Sequence, residues 1–220
     1  MNTYATPAPI TAAFDVPAGR VQVIAADRTD TVVEVRPADP GKGRDVKAAE
    51  QATVEFTDGM LQVRAATGGQ YFGGSGAIEV TVQLPAGSRV EAKASATEFR
   101  GVGRLGEVAF DGAYRHIKID EAAGVVLTAT DGDVEVGRLS GSAQISTARG
   151  DIRIAEATGG AVVLRTRSGD ISVGAEPGVS AALDARTSYG RVTNSLTNDG
   201  TADLTIDATT DRGDITARSL

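Results

Sequence analysis

Along the second half of the chain, apolar residues take every second position in short runs, and the runs themselves recur. The clearest copies are LTATDGDVEV (Leu127 to Val136), ISTARGDIRI (Ile145 to Ile154) and LRTRSGDISV (Leu164 to Val173). ARTSYGRVTN (Ala185 to Asn194) and ATTDRGDITA (Ala208 to Ala217) are looser copies. Aligned on the glycine, the anchors are Gly132, Gly150, Gly169, Gly190 and Gly213, separated by 18, 19, 21 and 23 residues. The same step taken backwards places anchors at Arg115 and Thr97, giving seven copies from about Arg89 onward. Seven positions before the anchor stand Val90, Val108, Val125, Ala143, Val162, Leu183 and Ile206. Five before it stand Ala92, Phe110, Leu127, Ile145, Leu164, Ala185 and Ala208, and two after it Phe99, Ile117, Val134, Ile152, Ile171, Val192 and Ile215. Apolar columns of constant parity mark strands with one dry and one wet face.

Each copy therefore reads as two short strands joined at the glycine. Such a unit cannot bury its apolar face alone and does so by stacking on its neighbours. The prediction is an all-β fold, a parallel, β-helix-like β-solenoid of about seven coils over residues 88–220. At a strand spacing of about 4.8 Å the coils make a rod roughly 30 Å long.

A sharp corner between strands favours Gly, which adopts positive φ without strain. An Asp after it is placed to bond neighbouring backbone amides. Thr147, Thr166, Thr187 and Thr210 are placed to ladder their hydroxyls between coils, and Gly124, Gly141, Gly160 and Gly178 mark the second corner. Residues 1–87 are strand-rich but do not show the repeat; Asp58-Gly59 between alternating runs predicts a hairpin, and Arg44 to Gln51 a short helix. This stretch reads as an N-terminal β cap, continuous with the solenoid, covering edge groups that would otherwise pair with another chain. The final coil, around Ile206, Ile215 and Thr216, reads as uncapped.

Composition narrows the chemistry. With no Cys and one His, thiolate metal sites, thiol nucleophiles and any two-histidine site are excluded. The 22 basic and 29 acidic residues give a net charge of −7, which disfavours a phosphate-tracking surface. No stretch approaches the roughly 20 apolar residues of a membrane span, and Met1 to Ile10 lacks basic and apolar leader regions, so the chain reads as cytoplasmic.

The coils [ST]-x-x-G-[DE]-[IV] at Thr147, Thr166 and Thr210, with the P-A-G-S segment at Pro85 to Ser88, resemble the bacterial "putative adhesin" β-strand-repeat family, also called toastrack-like domains. Phe14 to Pro40 looks especially similar to actinobacterial members. The resemblance implies a stacked-β domain without catalytic activity or catalytic residues, and a link to envelope or stress signalling. Arg115-His116 and Gly190-Arg191 depart from the Gly-Asp corner, and the membrane anchor of some relatives has no counterpart here.

Candidate chemistry follows the position after the anchor. Asp133, Asp151 and Asp170 would sit about 5 Å apart in register. They read first as solvated turn residues, and second as a ladder for a hard cation with oxygen ligands. Paired carboxylates such as Asp151 and Asp170 also raise a carbohydrate-active β-helix enzyme, although aromatics are scarce and no insertions build a cleft. A Ser-His-Asp site would need His116, and no nucleophile elbow is present. In GGQYFGGSG (Gly68 to Gly76), Tyr71 and Phe72 are aromatics on a glycine-rich loop and candidates for partner contact. The combined reading is a non-catalytic binding or scaffold module without cofactor. It displays Tyr71, Phe72, Arg149 and Arg167 to an unknown protein partner or to a second copy, with no nucleic acid and no direct membrane insertion. The alternative is a structural protein that self-assembles by end-to-end coil pairing.

Overall fold

The computed structural model describes residues 1–65, 76–113 and 116–220. Tyr71 and Phe72 lie outside the described residues, as does the Arg115 anchor. In chain order the elements are β1 (Asn2–Ala5), β2 (Thr11–Asp15), β3 (Ala18–Ala26), β4 (Asp30–Pro37), α1 (Gly43–Glu50), β5 (Thr53–Thr57), β6 (Met60–Arg64), β7 (Ile78–Pro85) and β8 (Arg89–Lys93). They continue with β9 (Ala96–Ala113), β10 (Ile117–Asp131), β11 (Val134–Leu139), β12 (Ala143–Arg149), β13 (Ile152–Ala157), β14 (Gly160–Ser168), β15 (Ile171–Ala175), β16 (Ala181–Tyr189), β17 (Val192–Ser195), β18 (Leu204–Arg212) and β19 (Ile215–Ser219).

Each coil gives one strand to each of two parallel ladders, and the chain is a β-solenoid. The first ladder runs β6, β2, β8, the second half of β9, the second half of β10, β12, β14, β18, β16. The second runs β7, β3, the first half of β9, the first half of β10, β11, β13, β15, β19, β17. At the N-terminal end the antiparallel strand β5 flanks β6, while β4 and then β1 flank β7. The Asp58-Gly59 turn joins β5 to β6 with φ of 50° and 76°, as a tight hairpin requires. The predicted helix is α1, whose Ala48 is buried.

The apolar columns are the stacking registers. Val90 lies opposite Val108, Val108 opposite Val125, Val125 opposite Ala143 and Ala143 opposite Val162. Phe99, Ile117, Val134, Ile152 and Ile171 stack likewise, and all of these side chains are buried. The columns also reach into the first 87 residues. Ala12 sits between Leu61 and Val90, Phe14 between Val63 and Ala92, and Val21 between Val80 and Phe99. Gly19 takes the anchor place opposite Thr97, with φ of 128°. Arg20 follows Gly19 where the clearest copies have Asp, so the corner escapes a search for Gly-Asp.

Spatial order departs from chain order at both ends. The coil β2–β3 is inserted between β6–β7 and β8–β9. The coil β18–β19 is inserted between β14–β15 and β16–β17: Ile206 lies in register with both Val162 and Leu183, and Ile215 with both Ile171 and Val192. The expectation that Ile206, Ile215 and Thr216 form the open end is therefore corrected. The open end is β16–β17.

The segment joining β17 to β18 is pinned at that end. Thr197 O accepts the Ala181 N–H at 2.9 Å, and Asp199 N–H donates to the Ser180 hydroxyl at 3.1 Å. The Ser180 hydroxyl and then the Thr201 N–H hold the Asp199 carboxyl below its ordinary range. A depressed carboxylate pKa stabilises the fold above the unfolded value, and that contribution disappears as pH falls through the folded value. Protection of the amides in the joining segment, measured against the intrinsic exchange rate at each pH, is expected to fall below about pH 4, and Asp199→Asn to remove that change.

Candidate functional site

The corner between the ladders is built by the Gly-Asp pairs. Asp151 N–H donates to Asp133 Oδ1 at 2.9 Å, Asp170 N–H to Asp151 Oδ1 at 2.8 Å, Asp214 N–H to Asp170 Oδ1 at 2.7 Å, and Arg191 N–H to Asp214 Oδ1 at 2.8 Å. Each carboxylate thus holds the amide of the next coil. Arg191 stands on the end coil, above which no further coil stacks among the described residues. Its departure from Asp is accounted for by its place in the stack. Three hydroxyls of the Thr column donate to carbonyls of the neighbouring coil, Thr166 to Gly150 O at 3.1 Å, Thr210 to Gly169 O at 3.0 Å and Thr187 to Gly213 O at 3.0 Å, while Thr147 donates to Arg149 O of its own strand at 3.1 Å.

This arrangement assigns Asp133, Asp151 and Asp170 a backbone-capping role. Asp170→Ala removes an acceptor and is expected to cost about 1 kcal/mol in urea unfolding. Asp170→Asn keeps the amide oxygen and is expected to stay near wild type. Equal losses in both variants would instead assign the stabilisation to the charge.

The same corner brings Arg149 and Arg167 together. They line an open cleft of about 530 Å³ with Ser168, Tyr189, Asp211 and Arg212. Register explains the assembly: Asp131, Arg149, Ser168, Arg212 and Tyr189 are successive rungs of the first ladder, immediately before the corner. Arg149 Nη2 reaches Asp131 Oδ2 at 2.6 Å. Among the described residues neither Arg167 nor Arg212 has a carboxylate within ion-pair distance, and both are exposed. Tyr189 is 75 % exposed, a large apolar ring in water beside guanidinium groups.

Arg212 and Tyr189 were not among the sequence-derived candidates. Their signal was present, since an aromatic and a base occupied outward corner positions where neighbouring copies carry Asp, Arg or Ser. What concealed it was the order of the coils, which places Arg212 between Ser168 and Tyr189. A second trough of about 440 Å³ lies over β6, β2, β8 and β9, floored by Ala13 and Ala109. There Arg64, Asp15, Lys93 and Asp111 alternate in sign across four neighbouring strands, so their fields largely cancel. The arginine cleft is instead lined by three bases and one acid, Asp211.

No helix among the described residues is long and apolar enough to cross a membrane. No curated protein matches the chain. Among solved structures, a "putative adhesin" from Bacteroides fragilis NCTC 9343 is similar with a TM-score of 0.59 at 14 % identity, over 100 % of this chain and 95 % of that one, which shows a shared fold. A "putative adhesin" from Parabacteroides distasonis ATCC 8503 gives a TM-score of 0.42 at 12 % identity, over 98 % and 95 % of the two chains. The family model Toastrack DUF4097 matches residues 14–218, and the chain belongs to that family.

Proposed function

We propose that this protein is a non-catalytic binding module whose solenoid holds a basic and aromatic cleft open to an acidic segment of a partner protein. The observation that carries the reading is the collection of Arg149, Arg167 and Arg212 with the exposed Tyr189 at one corner. Guanidinium groups offer planar paired donors to carboxylates, and an adjacent ring adds apolar contact at low entropic cost. Because the arginines project from stacked rungs, their spacing is set by backbone hydrogen bonds and little ordering is needed on binding. The Gly-Asp corner, occupied in bonding its own backbone, supports a scaffold role for Asp151 and Asp170 in preference to the paired-carboxylate chemistry of a glycoside hydrolase. The adhesin designation of the Bacteroides relative is in keeping with binding.

A fluorescein-labelled Glu-rich peptide provides the probe. Wild type is expected to bind it with an affinity that falls as salt rises. Arg149→Glu/Arg167→Glu is expected to weaken binding at least about tenfold, because it removes two charge-assisted hydrogen-bond donors from the cleft. Unchanged affinity in that variant would remove the cleft as the binding surface. Tyr71→Ser/Phe72→Ser, tested alongside, asks separately whether the glycine-rich segment contributes.

A further inference from the structure

The end formed by β16 and β17 is bare. β16 pairs with β18 alone and β17 with β19 alone, so each has an outer edge without a neighbouring strand among the described residues. At the opposite end, β5, β4 and β1 lie antiparallel over the parallel coils. The bare end also leaves apolar surface uncovered: Leu183 and Ala185 are only partly buried, and Val192 is 42 % exposed, although their column partners deeper in the stack are buried.

The backbone of β16 sets which groups are available. Leu204 N–H donates to Ser180 O at 3.1 Å, so along β16 the even-numbered residues turn their backbone groups towards β18. The odd-numbered residues turn theirs outward. The outward N–H of Ala181 is taken by Thr197 O, which leaves Leu183, Ala185 and Thr187 as the open stretch of edge. Asp184 and Arg186 flank Ala185 on the wet face of the strand, with Arg186 Nη2 and Asp184 Oδ2 2.5 Å apart and both side chains more than 60 % exposed.

We propose that this end is a self-complementary docking edge for a second copy of the chain, joined head to head about a two-fold axis normal to the two ladders. A two-fold axis through Ala185 sets β16 antiparallel to its counterpart. Ala185 then lies opposite Ala185, and Leu183 opposite Thr187, all with outward backbone groups that form the closely bonded pairs of an antiparallel ladder. In the same register Asp184 faces Arg186 of the other copy, and Arg186 faces Asp184. These are the pairs without backbone bonds, where side chains approach most closely. Edge charges usually keep strands apart; in this one register they attract, and in the parallel register, in which each would face its own kind, they repel. The same axis carries β17 against β17, so Val192 and Leu183 are covered together. The contact is isologous, so each copy's end is used up by the other, and assembly through this edge stops at two.

Sedimentation of the full chain across a range of concentrations tests this directly. Wild type is expected to pass from monomer to dimer with rising concentration and to form nothing larger. Asp184→Arg and Arg186→Asp each place like charges face to face and are expected to weaken the dimer at least about tenfold. Mixing the two variants brings Arg against Asp across the shared edge, and is expected to restore a dimer that contains one copy of each. Both positions are exposed, so circular dichroism is expected to show unchanged folding in each variant. A wild type that stays monomeric throughout, growth beyond a dimer, or a dimer indifferent to the single reversals would overturn the proposal.

Discussion

Ile215→Ala is expected to destabilise the protein by about 2–5 kcal/mol, the usual range for truncating a buried aliphatic side chain. In a solenoid that grew in chain order, this residue would belong to a fraying last coil. Here it is 1 % exposed and held between the registers of Ile171 and Val192. Val192→Ala, on the coil that forms the spatial end, is expected to cost less than about 1 kcal/mol because much of the side chain is already in water. Urea denaturation of the two variants measures the contrast. Near-equal losses, or a greater loss at Val192, would mean that the last two coils are not ordered as described.

Gly150→Ala is the second large effect. Gly150 has φ of 132°, and a Cβ built on it would lie 2.2 Å from Gly132 O in the neighbouring coil. Backbone strain of about 1–3 kcal/mol adds to the forced separation of two coils, so a total of at least about 3 kcal/mol is expected. Gly59→Ala supplies the control. Gly59 also has positive φ, at 76°, but nothing lies within 4 Å of the added carbon. Its cost is expected to be about 1–2 kcal/mol, the conformational penalty alone. Thermal unfolding of the pair separates conformational strain from steric obstruction, and equal shifts would assign the corner's demand for glycine to φ alone.

The solenoid was legible because two independent signals coincide in each copy. Ile145 and Ile152 lie on opposite sides of Gly150 with the parity of inward-facing strand residues, and the glycine is required where the coils approach. The order of the last two coils was not legible from the apolar columns, since Leu183 and Ile206 satisfy the same column equally well. The longer steps of 21 and 23 residues around Gly190 and Gly213 held that information. Extra residues between β15 and β16, and again between β17 and β18, let the chain overshoot one coil height and then return. Ala12, Phe14, Gly19 and Val21 likewise match the columns, but the long interruption between Arg64 and Ile78 separates β6 from β7, the two strands of one coil, and hides the period. At the candidate site, Arg149 and Arg167 were recognisable as outward flank residues. Arg212 required the true stacking order, because only the inserted coil brings it beside them.

Insertion of the final coil bears on how the protein is completed during synthesis. A ribosome delivers β16 and β17 before β18 and β19, yet among the described residues the former have no sheet partners other than the latter. Coils can accumulate on the emerging chain as far as β15, after which growth by simple addition must pause. The closing step is the insertion of the coil β18–β19 between β14–β15 and the waiting β16–β17.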